Sequence, residues 1–343
     1  MKSDLITVLR KFSAEDNKQF SLFLKNEYLC RNKNCYEFFN ELHKYYPLYV
    51  IEQKQKEVIY KHLYPAKEFN ESTFRSLVRS LMISVEDYLL IEDIRKNSSE
   101  REVKLLRILN DKNAVDVVSK KLEDIKSIIS RDNNGDISKK FLYLYDYEIF
   151  RYNYFDANMK VLHKDEADDT FVYMNNANSY LSLFYFVEIV SNFVNYKIQQ
   201  GMYDNHIEEL DVIFLSADLK RLDVLFECTE FEYAYRLYKN LYLLYSEKTS
   251  KTSFLRYKSF FLEHTGHLGK KELLQHNNML ISYCIKNKNL IPELADELWG
   301  LYQFYLSKEL YEADNNHYLD TYLFRSIIFL GLRHGYFSEV KQI

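Results

Sequence analysis

The sequence predicts an all-α protein built from antiparallel helix pairs. Only 7 glycines and 3 prolines occur in 343 residues, so few positions suit the tight turns that connect β-strands. Apolar residues recur at the spacing of a helix face along most of the chain. Two polar segments, residues 95–100 and 130–138, are the clearest interruptions. We therefore expect long helices joined by short connections.

Capping and stop residues support the individual helices. Ser13, Asn70 and Asp136 each precede a predicted helix, and their side chains can accept hydrogen bonds from its first N–H groups. Proline or glycine ends others, at Pro47, Pro65, Gly201 and Gly266. The predicted helices cover residues 4–11, 15–27, 34–45, 52–63, 71–95, 100–110, 113–130, 137–160, 167–200, 206–216, 218–228, 230–248, 252–264, 270–287, 291–311 and 318–334.

The aromatic stretch FLYLYDYEIFRYNYFD, residues 141–156, tests the helical prediction. Its aromatic residues alternate as in a strand, but the alternation changes phase near Glu148, so a strand would place its two halves on opposite faces. At 100° per residue the stretch forms two apolar stripes, which is typical of a helix between two neighbours. The second stripe consists of Tyr143, Tyr147, Phe150 and Tyr154. The first consists of Phe141, Leu142, Leu144, Tyr145, Ile149, Tyr152 and Phe155.

The polar segment at residues 95–100 is the predicted domain boundary. It separates a small N-terminal helical unit, residues 1–97, from a longer helical array, residues 98–343. In FRSIIFLGLRHGYFSEV, near the end of the chain, Gly335 lies between two predicted helices, with Phe324 before it and Val340 after it. This spacing is typical of a tetratricopeptide unit. The array is therefore predicted to be a tetratricopeptide-like α-solenoid.

Charge and cysteine content indicate a cytoplasmic protein. The net charge is −4, with no block that by itself indicates nucleic acid or membrane. The N-terminal residues lack the apolar core of a signal peptide, and the most apolar window is too short to span a bilayer and contains Glu188. Four cysteines without a signal peptide indicate reduced thiols: Cys30, Cys35, Cys228 and Cys284.

Several segments together resemble one protein family. LITVLRKFSAEDNKQFSLFLKNEY, ELHKYYP and IYKHLYPAKEFNESTFRSLVRSLM resemble the N-terminal part of a widespread family of uncharacterised helical proteins from Bacteroidota. LISYCIKNKN and FRSIIFLGLRHGYFSEV resemble its C-terminal part, in the same order. The segment NEYLCRN, residues 26–32, departs from the family's usual turn. The resemblance implies an all-helical, tetratricopeptide-like protein and supplies no catalytic or cofactor-binding residues.

Two clusters have residue types that bind metals. His264, His267 and His276 lie in EHTGHLGKKELLQH, but the segment crosses a glycine-containing turn and lacks a fourth ligand. We interpret it as a solvated turn between helices. Cys30 and Cys35 are separated by four residues, and zinc knuckles use two. We interpret them as neighbours in a loop, and expect neither a metal nor a cofactor.

Motifs typical of enzymes are missing from the sequence. DEADD, residues 165–169, matches a helicase motif, but no phosphate-binding glycine loop accompanies it. An acidic run at a helix N-terminus, where it complements the helix dipole, is the simpler interpretation. HExxH, GxSxG and the dinucleotide-binding fingerprint are also missing. The sequence therefore favours a protein that is not an enzyme, and an enzyme with no recognisable motif is a less favoured alternative.

Nucleic-acid binding is an alternative. YPAKEFNESTFRSLVRSLM predicts a helix, a turn and a second helix that presents Arg75 and Arg79 one turn apart. However, residues 51–100 sum to −1, whereas a unit that binds a DNA groove normally has a clear basic excess.

The favoured function is a helical-repeat scaffold that binds a protein or peptide partner. We expect Tyr143, Tyr147, Phe150 and Tyr154 to pack against a neighbouring helix with their hydroxyl groups at polar rims. If these rings instead line an open groove, they become the leading partner-binding site.

The predicted helix at residues 318–334 is apolar on almost every side, unlike the polar outer face expected of a terminal repeat. We expect the chain to be truncated, or part of a longer one, and to lack the helices that cover this face. The face should then be covered by a second copy or another chain, so that self-association through this helix is possible, or else this end should be poorly ordered. The residues of this face are Leu319, Tyr322, Leu323, Phe324, Ile327, Ile328, Phe329, Leu330 and Leu332.

Overall fold

Every regular element in the computed structural model is a helix, within the residues that it describes. These are residues 3–30, 32–132, 136–158, 170–200, 212–226, 229–314 and 319–341. Across these ranges no β-strand occurs, so the predicted all-α class is confirmed. The helices are α1 (Asp4–Leu9), α2 (Ala14–Leu24), α3 (Asn34–His43), α4 (Gln53–Leu63), α5 (Glu71–Lys96), α6 (Ser98–Asp111), α7 (Val115–Arg131), α8 (Ile137–Asn158), α9 (Thr170–Gln200), α10 (Val212–Phe226), α11 (Glu232–Ser246), α12 (Lys251–Glu263), α13 (Lys270–Asn287), α14 (Leu294–Ser307), α15 (Thr321–Arg333) and α16 (Phe337–Val340).

The chain divides into two compact units, Met1–Asn97 and Ser98–Ile343. Each unit has a hydrophobic core of its own. In the N-terminal unit the long helix α5 contacts α1, α2 and α3. Asn70 caps α5, since its Oδ1 accepts a hydrogen bond from the Thr73 N–H at 2.9 Å. The ring of Phe20 lies at the centre of this core, 5.0 Å from Phe39 and 5.3 Å from Tyr88 between centroids.

In the C-terminal unit, α8 lies between α6 and α7 on one side and α9 on the other. The two apolar stripes of the aromatic stretch follow from this position. Tyr147 of one stripe donates a hydrogen bond from its hydroxyl to the Leu122 carbonyl of α7 at 2.7 Å. Phe155 of the other stripe stacks on Tyr173 of α9, with centroids 5.4 Å apart.

The remaining helices contact one another largely in chain order. The contacting pairs are α11 with α12, α12 with α13, α13 with α14, α14 with α15, and α15 with α16. Helix α9 also contacts α11 and α13. These contacts bury a continuous row of aromatic and aliphatic side chains within the described part of the unit.

One predicted helix break is wrong. The prediction separated residues 206–216 from 218–228, but Val212–Phe226 is a single helix, α10. No glycine or proline occurs in this range, and serine and aspartate alone lower helix propensity too little to end a helix. Residues 206–211 lie outside the described residues.

The helix predicted at residues 318–334 is α15, and part of its apolar face is solvent-exposed. Ile327 is fully buried, whereas Leu319, Leu323, Ile328 and Leu330 are partly buried. The exposed apolar side chains of α15 and α16 are Tyr322, Phe324, Phe329, Leu332 and Phe337.

Candidate functional site

A groove of about 890 Å³ lies between α9 and α10 in the C-terminal unit. We call it the α9–α10 groove. One wall is the face of α9 and the other is the described part of α10. Its lining residues are Asn175, Asn178, Ser179, Ser182, Tyr185, Phe186, Ile189, Arg221, Leu222, Val224 and Leu225.

The wall formed by α9 follows from its helical spacing. Asn175, Asn178 and Ser182 occur at intervals of three and four residues, so they lie on one face of the helix. The core-facing side of the same helix buries Leu183 and Val187. Because no glycine or proline interrupts residues 170–200, α9 presents the groove face as a continuous surface.

The floor of the groove is apolar. Phe186 is buried and packs against Tyr235 of α11, with ring centroids 5.2 Å apart. Ile189 and Leu222 are half-buried beside it. Above this floor Val224 is 79% exposed. A ligand in the groove would remove this apolar surface from water.

Contacts with α11 stabilise α10. The Tyr235 hydroxyl donates its hydrogen bond to Asp223 Oδ1 at 2.8 Å, and the same hydroxyl oxygen lies 3.0 Å from the Leu219 carbonyl oxygen. Lys239 forms an ion pair with the same carboxylate. Partial burial acts to raise the pKa of Asp223, but the hydrogen bonds from Lys239 and Tyr235 outweigh it and hold this pKa below its ordinary value. The carboxylate therefore stays ionised at neutral pH.

The polar wall offers both donors and acceptors. Ser179 donates its hydroxyl hydrogen to the Asn175 carbonyl at 3.0 Å, and Ser182 donates to the Asn178 carbonyl at 2.8 Å. The hydroxyl oxygens keep lone pairs free to accept. The side chains of Asn175 and Asn178 are exposed, and each amide can donate and accept at once. Arg221 is also exposed and forms no ion pair with a residue in the described ranges.

The stripe of Tyr143, Tyr147, Phe150 and Tyr154 lies against α6 and α7. The Tyr154 hydroxyl donates to the Val115 carbonyl at 3.3 Å, and the Tyr143 hydroxyl donates to Glu100 at 3.2 Å. Tyr147 and Tyr154 are buried. Phe150 and Tyr154 also border a smaller depression of about 450 Å³ between α6 and α8. Most of the stripe therefore belongs to the helix–helix packing.

The interpretation of all three histidines as residues of a solvated turn is wrong for His276. His276 is fully buried in α13 among aromatic side chains, and its Nδ1 lies 2.6 Å from the Tyr257 hydroxyl. Burial lowers the pKa of His276 to about 3, so its ring is neutral at pH 7. His264 stacks on Phe260 at 4.1 Å and His267 on Tyr233 at 4.7 Å. Within the described ranges, no three His, Cys, Asp or Glu side chains are placed to hold a metal ion.

The two N-terminal cysteines are core residues. The interpretation of both as neighbours in a loop is wrong for Cys35, which lies in α3, whereas Cys30 lies in the irregular segment before this helix. Cys30 and Cys35 are buried free thiols, and the Cys30 sulfur lies 3.5 Å from the Ser84 hydroxyl of α5. Burial raises the pKa of Cys35 to about 12. Cys284 is a third buried free thiol, and Cys228 lies outside the described residues.

The two arginines of the nucleic-acid hypothesis lie on α5. Arg75 pairs with Glu71 at 3.1 Å, and Lys56 lies 3.7 Å from the same carboxylate. Arg79 is exposed one turn further along the helix. Because Glu71 offsets the charge of its two basic neighbours, the positive potential of this surface is reduced.

The acidic run at residues 165–169 lies outside the described residues. Of the helices described, none has both the length and the apolar character needed to cross a membrane. Comparisons of the chain with protein-family models, with curated protein sequences and with solved structures give no match.

Proposed function

We propose that this chain is a non-enzymatic, cytoplasmic helical scaffold that binds an extended peptide segment of a protein partner in the α9–α10 groove. The supporting observation is that polar, apolar and cationic side chains line a single groove: the wall with Asn175 and Asn178, the floor with Phe186, and Arg221. We further propose that the helix pairs of the C-terminal unit stack as a tetratricopeptide-like solenoid, as the resemblance to the Bacteroidota family implies. Solenoids of this kind commonly bind peptides on such surfaces.

The length of the groove suits a short peptide. Asn175 and Ile189 are 14 positions apart on α9, which is about 21 Å along the helix axis at 1.5 Å per residue. An extended chain rises about 3.3 Å per residue, so this wall spans about six peptide residues. The polar wall can therefore bond the main chain of the peptide at several points.

The chemistry of the groove specifies the peptide. Alternate side chains of an extended segment point to opposite sides, so one set can enter the apolar floor near Phe186 and Leu222. Arg221 presents a fork of donors that matches a carboxylate. We therefore propose an extended segment with apolar residues at alternate positions and an acidic side chain that contacts Arg221.

The test selects binding peptides from a phage-displayed library of random 12-residue sequences. The selection is carried out against the full chain and against two variants of it. Val224→Glu places a carboxylate at the groove wall. Val117→Glu makes the same change at another exposed position, on α7, that does not line the groove. We expect the wild type and Val117→Glu to enrich the same acidic, apolar-patterned peptides, and Val224→Glu to lose them. Equal enrichment on Val224→Glu, or no enrichment on the wild type, would refute the proposal.

A further inference from the structure

A groove in the N-terminal unit is formed by α5 and the segment that follows α2. It has a volume of about 850 Å³, and we call it the α5 groove. Ile83, Asp87 and Leu90 line one wall, and intervals of four and three residues place them on one face of α5. Glu27 and Tyr28 line the opposite wall. This groove lies within one unit and shares no residue with the α9–α10 groove.

The walls of the α5 groove expose several apolar side chains. Tyr28 is 90% exposed, Leu90 is 63% exposed and Ile83 is 50% exposed. Single exposed apolar residues are common, but several around one groove are typical of an interaction surface. Ile83 and Leu90 are seven positions apart, about 10.5 Å along the axis, which equals about two helical turns.

Carboxylates lie on both walls. Asp87 is exposed between the two apolar residues of α5 and forms no ion pair with any residue in the described ranges. Glu27 lies 3.4 Å from Lys33, but both side chains are largely exposed, so this pair is weak and a partner's cation can replace it. The described lining residues include no lysine or arginine. The charge of the groove therefore complements a basic partner.

We propose that the α5 groove binds a basic amphipathic helix of another protein. Apolar residues of that helix, spaced three, four and seven apart, would pack between Tyr28, Ile83 and Leu90, with lysines or arginines beside Asp87 and Glu27. A helix suits the groove because Ile83 and Leu90 lie about 10.5 Å apart along α5, which is the spacing of apolar residues seven positions apart on an amphipathic helix. The proposal does not depend on peptide binding by the α9–α10 groove.

The test uses the full chain and two synthetic 18-residue peptides, compared by fluorescence anisotropy. The first has leucines on one helical face and lysines among alanines on the other, and the second replaces every lysine with glutamate. The variant Asp87→Lys reverses the charge in the groove. Asp93→Lys makes the same change at an exposed position of α5 that does not line the groove.

We expect the lysine peptide to bind the wild type and Asp93→Lys with equal affinity, and Asp87→Lys about tenfold more weakly. The glutamate peptide should not bind. Val224→Glu should leave binding of the lysine peptide unchanged. The result is therefore independent of whether the α9–α10 groove binds a peptide. The proposal is overturned if Asp87→Lys binds as the wild type does, or if both peptides bind equally. It is also overturned if the full chain forms dimers that Ile83→Glu dissolves, because the occupant is then a second copy.

Discussion

Glu272 connects the first turns of two helices that are distant in the sequence. Its Oε1 accepts a hydrogen bond from the Ile137 N–H of α8 at 2.8 Å, and its Oε2 accepts one from the Gly269 N–H before α13 at 3.3 Å. The side chain is buried, and burial raises the pKa of Glu272 to about 7 against the opposing effect of these two donors. Asp136 raises this pKa further, and Lys140 lowers it.

The raised pKa of Glu272 predicts a pH dependence of stability. The unfolded carboxyl titrates near 4.5, so the folded state binds the proton more tightly, and the resulting stabilisation is present below pH 4.5 and lost as pH rises to 7. Relative to Glu272→Gln, which cannot ionise, the free energy of unfolding of the wild type should fall by up to about 3 kcal/mol over this range. Urea denaturation of both proteins at several pH values measures the difference. The prediction would be contradicted if the free energy of unfolding of the wild type, relative to that of Glu272→Gln, stayed constant or rose as the pH increased over this range.

The sequence reveals only half of this arrangement. Glu272 lies three residues after Gly269, the position from which a glutamate accepts the N-cap N–H in a capping box, and this half of the arrangement is local. The bond to Ile137 spans 135 positions, and no local pattern indicates it. The contact of His276 with Tyr257 is also not indicated by the sequence, because no local pattern around position 276 shows that the Tyr257 hydroxyl lies beside its ring.

Helix α15 lies close to α14 and α16 at Gly331. A Cβ atom at this position would overlap the Val340 side chain of α16 and lie 2.9 Å from the Trp299 ring of α14. Glycine is required here by the close approach, although it lowers the helix propensity of α15.

The variant Gly331→Ala should lower the free energy of unfolding by about 1–3 kcal/mol, because the overlap outweighs the gain in helix propensity. Gly300→Ala in α14 is the matched control, since its Cβ would meet only Lys258 Nζ at 3.8 Å. That change should stabilise the protein by about 0.5–1 kcal/mol. Chemical denaturation measures both. Equal effects of the two substitutions would show that the close approach at Gly331 does not exist.

Helix α8 shows which features of an element the sequence predicts. Two apolar stripes and the phase change near Glu148 identify a helix, and the element observed is Ile137–Asn158. The stripes do not indicate which neighbours cover them. Contacts with α6, α7 and α9 decide that Tyr147 and Tyr154 belong to the packing of the unit.

At the scale of the whole molecule, each of the two units has its own hydrophobic core. Phe20 is fully buried in the core of Met1–Asn97. The chain has a single tryptophan, and Trp299 lies in the other core, stacked on Tyr336 with centroids 4.9 Å apart. Tryptophan fluorescence therefore reports on the C-terminal unit, whereas far-ultraviolet circular dichroism reports on the helices of both.

We predict that Phe20→Ala destabilises the N-terminal unit alone, by about 3–5 kcal/mol, as expected when a buried phenylalanine is truncated. In urea the circular dichroism of this variant should show an early transition that the wild type lacks. The urea midpoint of the transition followed by tryptophan fluorescence should be the same in the variant as in the wild type. A parallel shift of both signals would mean that the two units unfold as one.

The sequence by itself determined the helical class, because helical periodicity and the scarcity of glycine and proline act on each segment locally. It also indicated caps such as Asn70 before α5, whose partners lie within one turn. Only the tertiary structure decided that Cys30, Cys35 and His276 are core residues, and that exposed side chains around Val224 and Leu90 border grooves. The physical reason is that burial and concavity depend on which helices meet, and those contacts join residues far apart in the chain.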